Sequence, residues 1–257
     1  MRDCPRYKYR AIVDHRPFHW PGGSRVALWV INNIEYFEYG SKGLEINEGA
    51  ARFDPDIVNH SLRDYGPRVA IWRMVDCFDR LGIRVTVALN ADVCEHYPQI
   101  IHAGLERKWE WMGHGPTNGM RLAGLSEENE RMVIRDTLQR IERSIGTRPK
   151  GWLSPGLVET HNTLDILAEE GISYVADWVA DDIPFFLTTK YRDILSVPYS
   201  MEINDMGLIL RQKVSGSEFR TRIIDQFETL YEEGERCGRV MAIALHPVLT
   251  GQPHRIK

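Results

Sequence analysis

Residues 109–119 read WEWMGHGPTNG: a histidine, His114, closes a short apolar run, and an asparagine, Asn118, follows four positions later. A site for a divalent metal would want a second imidazole at that spacing, and a carboxamide oxygen is a much poorer ligand than imidazole for ions of the Zn²⁺ type. Other short apolar runs also end in groups that can bind, donate or accept a proton. They are Asn32, Asn33 and Glu35; Asn90 and Asp92; Ser154; Asp177 and Trp178; and His246. Two histidines and two acids among successive run ends exceed what the general polarity of loops predicts. Acid–base chemistry on a bound small molecule is the chemistry such a set can perform.

The elements that must position these groups follow from periodicity. Residues 25–31, 84–90, 110–114, 150–155, 173–178, 193–198 and 239–246 read as seven strands, mostly separated by helical patterns. A helix is expected over 67–82, with Pro67 at its start, Ile71, Val75 and Phe78 on one face and Gly82 at its end. Residues 126–146 give the clearest helix, with Ser126 as N-cap, Glu127 and Glu128 in the first turn and Gly146 past the end. Further helices are expected over 98–109, over 162–171, and from a cap at Ser217 to Gly238, whereas 35–66 reads as a polar, irregular insert. Alternating β and α with apolar strands argues for a parallel sheet, and no glycine-rich phosphate loop follows any strand. A barrel with its chemistry at the C-terminal strand ends is the expected architecture. Residues 1–24 are expected to form an irregular arm and 25–257 one barrel domain. The sequence stops soon after the last strand, so no helix is expected to cover that strand. A truncated domain, cover by the arm, or cover by a partner subunit in a homo-oligomer are the alternatives.

Bulk composition excludes several classes. The 257 residues carry 36 acidic and 32 basic side chains, a net charge of -4 that gives no electrostatic case for nucleic acid. No apolar run approaches the ~18 residues of a membrane span, so no membrane partner is expected. The N-terminus lacks the apolar stretch of a signal peptide. Cys4, Cys77, Cys94 and Cys237 lie far apart and read as free thiols in a reducing compartment, the cytoplasm.

In their order along the chain, INNIEYFEYG, GHGPTN, WLSPG, ADW and IALHP resemble the motifs of the polysaccharide deacetylase (NodB homology) superfamily. SLRDYGPRVAIWRMVD, GWLSPGLVET and HPVLTGQPHR are similar to its allantoinase and cyclic-imidase-like branch. The resemblance spans residues 25–257. It implies an α/β fold, a distorted seven-stranded (β/α) barrel, here without a C-terminal helix. It also implies a hydrolase of non-peptide carbon–nitrogen bonds. The family's metal ligands are Asp, His and His. In this chain the Asp-Asp pair has become Asn32-Asn33 with Glu35 nearby, the second His has become Asn118, and the Arg of an Arg-x-Pro motif has become Leu153.

Two explanations of that near-miss stand. In the preferred one no metal or other cofactor is needed. Glu35 is then the base, His246 the general acid and His114 a catalytic donor, with Asp177 orienting a neighbour. In the other, a weaker Zn²⁺-type site survives on Glu35, His114 and Asn118. Asn33, Asn118, Trp178, His254 and Arg255 are candidate substrate-binding groups, Trp178 as a wall for a planar ring and the last two for an anionic group. Blander roles compete: Glu35 as a solvated loop acid, Asn118 as a turn former before Gly119, His254 and Arg255 as plain surface. The branch implies a small cyclic amide, imide or ureide as substrate. A metal-dependent N-deacetylase of a sugar or peptidoglycan, and an inactive binding barrel, are the rival readings.

Overall fold

The computed structural model describes residues 4–256. Its centre is an eight-stranded mixed sheet curled into a half-barrel. In chain order the elements are β1 (Val26–Ile34), α1 (Ile57–Tyr65), α2 (Ile71–Leu81), β2 (Thr86–Leu89), α3 (Ala91–His96), α4 (Pro98–Glu106), β3 (Glu110–Gly113) and α5 (Glu127–Ile145). Then come β4 (Gly151–Trp152), α6 (Thr163–Glu169), β5 (Tyr174–Val175), β6 (Phe185–Leu187), β7 (Ile194–Ser196), α7 (Gly216–Glu233), β8 (Arg239–Leu245) and α8 (Pro247–Thr250). The strand order is β6-β7-β5-β4-β3-β2-β1-β8. All seven strands expected from sequence are present and parallel; β6 is an eighth, pairing antiparallel with β7 at the edge.

Strand alternation sorts the side chains into two layers. On the concave face lie Ile31, Ala88, Met112, Leu153, Ala176, Ala242 and Ala244 with Tyr199. On the convex face Val30, Ile34, Val87, Leu89, Met241, Ile243 and Leu245 pack under the α2 stripe of Ile71, Met74, Val75 and Phe78. Small alanines inward and large aliphatics outward leave room inside the curl and fill the space beneath the helices. The same alternation sends Asn33, Glu35, His114 and His246 to the concave side. Asn32 therefore faces outward, fully buried, with neither side-chain polar atom hydrogen-bonded.

Several element boundaries differ from expectation. The helix expected from Pro67 begins ten residues earlier: Asp56 caps α1 through the Asn59 N–H at 3.0 Å. The chain then runs through a π-type turn at Gly66–Ala70 directly into α2. Pro67 sits inside that turn, whose wider spacing tolerates the missing N–H. Helix α7 is capped by Ser215 in a capping box with Glu218, not by Ser217, and ends at Gly234 rather than Gly238. Ser126 and Gly146 act as expected on α5, with Gly146 at φ +79°.

The last strand is covered, contrary to the exposed surface expected for it. Every residue of β8 is buried. Phe219 and Leu230 of α7, with Ile203, Leu208 and Ile209 before it, supply the apolar cover. A helix after β8 is therefore not needed for this. The edge of β8 is partly paired as well: Ala244 N–H donates to the Ile203 carbonyl (3.0 Å) and Val240 N–H to that of Asp182 (2.8 Å). The arm is also fixed. Arg6 grips Asp165 with two hydrogen bonds, at 2.9 and 3.1 Å, and Tyr7 packs edge-on against Trp178 and Phe185.

Candidate active site

Glu35 follows the last residue of β1 and sits at the floor of a cavity of about 140 Å³. Three connections fix its place. Asn90, after β2, accepts from the Tyr36 N–H at 2.9 Å and donates through Nδ2 to the His114 carbonyl. The Asn118 N–H donates to the Tyr36 carbonyl at 3.0 Å. The ends of β1, β2 and β3 are thus laced together, which brings Asn118 Nδ2 within 2.7 Å of Glu35 Oε1. Asn118 is not merely a turn former, and Glu35 is not a solvated acid: its side chain is only 7% exposed.

Two imidazoles flank the carboxylate. His114 Nε2 lies 3.7 Å from Glu35 Oε1, and His246 Nε2 lies 3.8 Å from the same oxygen. Each ring is oriented from behind. His114 Nδ1 donates to the Leu153 carbonyl at 2.6 Å, which leaves Nε2 facing the cavity. His246 Nδ1 contacts Asp205 Oδ1 at 2.6 Å, while Asp205 Oδ2 accepts from the His246 N–H (2.7 Å) and the Thr250 hydroxyl (2.6 Å). Burial alone would push the His246 pKa down, but the Asp205 carboxylate and, more weakly, Glu35 raise it above the ordinary histidine value. His246 is thus a buried imidazole whose charged form is favoured by the carboxylate behind it.

Asn33 lines the cavity with its amide tied down, Nδ2 donating to Tyr199 Oη and the Leu245 carbonyl, each at 3.1 Å. Asn118 Oδ1 is buried with no donor. With its Nδ2 on Glu35, that oxygen remains an acceptor without a partner among the described residues.

Three of the expected site residues stand apart from the cavity lining, and one stands beneath it. His254 is exposed on the turn after α8. Arg255 donates Nη1 to the Leu249 carbonyl at 3.2 Å, because α8 turns the chain away from the cavity. Trp178 packs on Tyr7 and donates Nε1 to Glu159 Oε1 at 3.0 Å, so it braces the arm instead of walling the cavity. Asp177 lies beneath the site. Its Oδ1 accepts from the Ser154 N–H at 2.8 Å, and its Oδ2 is sealed without a donor because a second carboxyl, Glu159, faces it. Two carboxylates cannot both be charged there. Burial and then the charge of Asp177 push Glu159 up to about 10, and burial raises Asp177 as well, so the pair holds a proton.

Sequence reasoning missed Asp205, Tyr199, Arg121 and Arg211, the last three of which line the cavity. Arg121 follows the GHGPTN motif closely and could have been noticed; the other three lie on the long connection between β7 and α7, which has no clear period.

The donor set does not fit a catalytic divalent cation. Asn118 turns its amide N–H, not its oxygen, onto Glu35. Among the described residues no three His, Cys, Asp or Glu side chains are grouped to hold an ion.

Comparison with known proteins places this fold among similar ones. The polysaccharide deacetylase family model matches residues 60–175. Over that segment the chain is similar in sequence to the polysaccharide deacetylases. A putative polysaccharide deacetylase of Schizosaccharomyces pombe is 26% identical over 274 residues, covering 95% of this chain and 85% of the relative. Among solved structures, Puue allantoinase superposes with a TM-score of 0.83 at 26% identity, covering 97% of this chain and 88% of the other. A probable polysaccharide deacetylase from Pseudomonas aeruginosa PAO1 gives 0.82 at 28% identity, covering 96% and 88%. The family 4 carbohydrate esterase from Streptomyces lividans shares the fold at a TM-score of 0.51 and 12% identity, covering 88% and 80%. The fold described here is thus more similar to that of the allantoinase than to that of the esterase.

Proposed function

We propose that this protein is a hydrolase of non-peptide carbon–nitrogen bonds that opens a small cyclic amide, imide or ureide without a metal. The observation that carries the reading is the bracketed carboxylate: Glu35 between two imidazole Nε2 atoms at 3.7 and 3.8 Å, at a cavity large enough for a small ring.

Glu35 takes a proton from water, whose oxygen attacks the ring carbonyl carbon. A tetrahedral oxyanion forms, and His114, whose Nε2 faces the cavity, is the group placed to stabilise it. His246, protonated and backed by Asp205, passes a proton to the departing ring nitrogen, so the C–N bond breaks to give a carboxylate and a free amide or amine nitrogen. Asn118 holds Glu35 through Nδ2 and accepts a ring N–H at Oδ1. A cyclic ureide, with C=O and N–H alternating, matches that pairing of acceptor and donor groups.

The test is turnover on allantoin, hydantoin, succinimide, dihydrouracil and an N-acetylglucosamine oligomer, with and without chelator. Ring opening that survives the chelator supports the reading. Acetate release abolished by chelator would replace it with a metal-dependent deacetylase. Silence on every compound would point to a binding barrel.

A further inference from the structure

The cavity is charged in an ordered way. Its one acidic lining residue, Glu35, is at the floor; Arg121 and Arg211 are its arginines, both solvent-exposed at the mouth. The chain as a whole has more acidic than basic residues, 36 against 32, and some of its other arginines, Arg6, Arg107, Arg131, Arg140, Arg148 and Arg239 among them, meet carboxylates. Arg121 and Arg211 meet none among the described residues. They come from different connections, Arg121 after β3 and Arg211 at the end of the turn Met206–Arg211.

Arg121 is also placed, not loose. Its Nη1 donates to the Asn118 carbonyl, and its Nε lies 3.0 Å from where a Cβ on Gly156 would be. Gly156 has φ +69°, so glycine both suits the backbone and leaves the guanidinium space to lie across the mouth. Each guanidinium keeps N–H groups for a planar, two-oxygen anion.

We infer that the ring this site opens carries a carboxylate substituent, bound at the mouth by Arg121 and Arg211 while the scissile amide reaches Glu35. This rests on the cyclic-amide reading and narrows it. A substituent of that charge would be repelled from Glu35 and drawn to the arginines, so it fixes which end of the ring enters first. A neutral ring gains no such orientation.

The experiment uses two probes of equal size, hydantoin-5-acetate and hydantoin-5-acetamide, with the intact protein. Expected is a kcat/KM for the carboxylate at least about tenfold above that for the amide, a preference that shrinks as salt rises. Arg211→Gln and Arg121→Gln should each reduce this preference, and Arg211→Lys should restore part of it; thermal melting confirms that the variants fold. Equal use of both probes, or a preference untouched by both glutamine variants, overturns the inference. Calorimetric binding of the same probes to Glu35→Gln separates the two claims. If neither probe is opened, the hydrolase reading fails, yet tighter arginine-dependent binding of the acetate keeps the anion site. No difference in binding removes it.

Discussion

At the residue scale, the site's chemistry reduces to one carboxylate and two imidazoles with different backing. Glu35→Gln keeps the shape and removes the proposed base, so kcat on a ring substrate should fall by about 10²–10⁴-fold. Asp205→Asn should act through His246. The Asp205 charge raises the His246 pKa against burial, so its loss lowers that pKa. Activity that needs protonated His246 should then decline at lower pH, moving the alkaline limb of the kcat–pH profile down. The Glu159–Asp177 pair makes a separate prediction. The Glu159 pKa is raised in the fold, to about 10, so the native state holds a proton that the unfolded chain releases above its ordinary value. Stability associated with this group is complete below the unfolded pKa and is lost as pH rises toward 10. Glu159→Gln should therefore melt higher than the parent near pH 8, and the gap should close toward pH 4. Glu35, His114 and His246 were legible in the sequence because each follows a strand directly, and strand register fixes where such residues point; Asn118 lies on the loop beyond β3 and was legible from its four-residue spacing to His114. Asp205 was not: it reaches His246 across 41 residues of chain, a distance no local pattern spans.

At the element scale, close packing between strands and helices limits what the site's supports will tolerate. Gly113 precedes His114 on β3, and a Cβ there would lie 2.6 Å from Trp152 Cε3. Gly113→Ala should cost about 1–3 kcal/mol in denaturant unfolding, because Trp152 is fully buried and has nowhere to move. The same displacement should lower turnover by shifting His114. Strands and the long helix α5 were readable because their apolar periods and caps agree. The eighth strand was not: β6 follows a proline, and no helical pattern separates it from β7 to mark it as an element of its own. The α1–α2 junction misled for a related reason: a proline that often begins a helix sits here inside a π-type turn.

At the scale of the whole molecule, the arm and the sheet are joined by a few strong contacts. Arg6 holds Asp165 with two hydrogen bonds, and although burial pushes Asp165 up, Arg6 and the Lys190 N–H pull its pKa down to about 2. That contribution is present above the ordinary aspartate value and is lost as pH falls through about 2. Arg6→Ala should lower stability near pH 7 by about 1–3 kcal/mol, with the two melting curves converging in strong acid. Among the described residues no helix is long and apolar enough to cross a membrane.

The placing of β1 between β2 and β8 has a temporal side. Asn33 and Leu245 touch across 212 residues, and Glu35 and His246 lie just beyond them. Such pairing carries a large loop-closure entropy and slows folding. On the ribosome, the first strand is made early but must wait for the eighth, so the half-barrel cannot close and the bracketed carboxylate cannot form until translation has passed β8. Until then β1 presents one open edge and a buried-type face to its surroundings. Until β8 emerges, the half-barrel and the carboxylate cluster at its strand ends stay open.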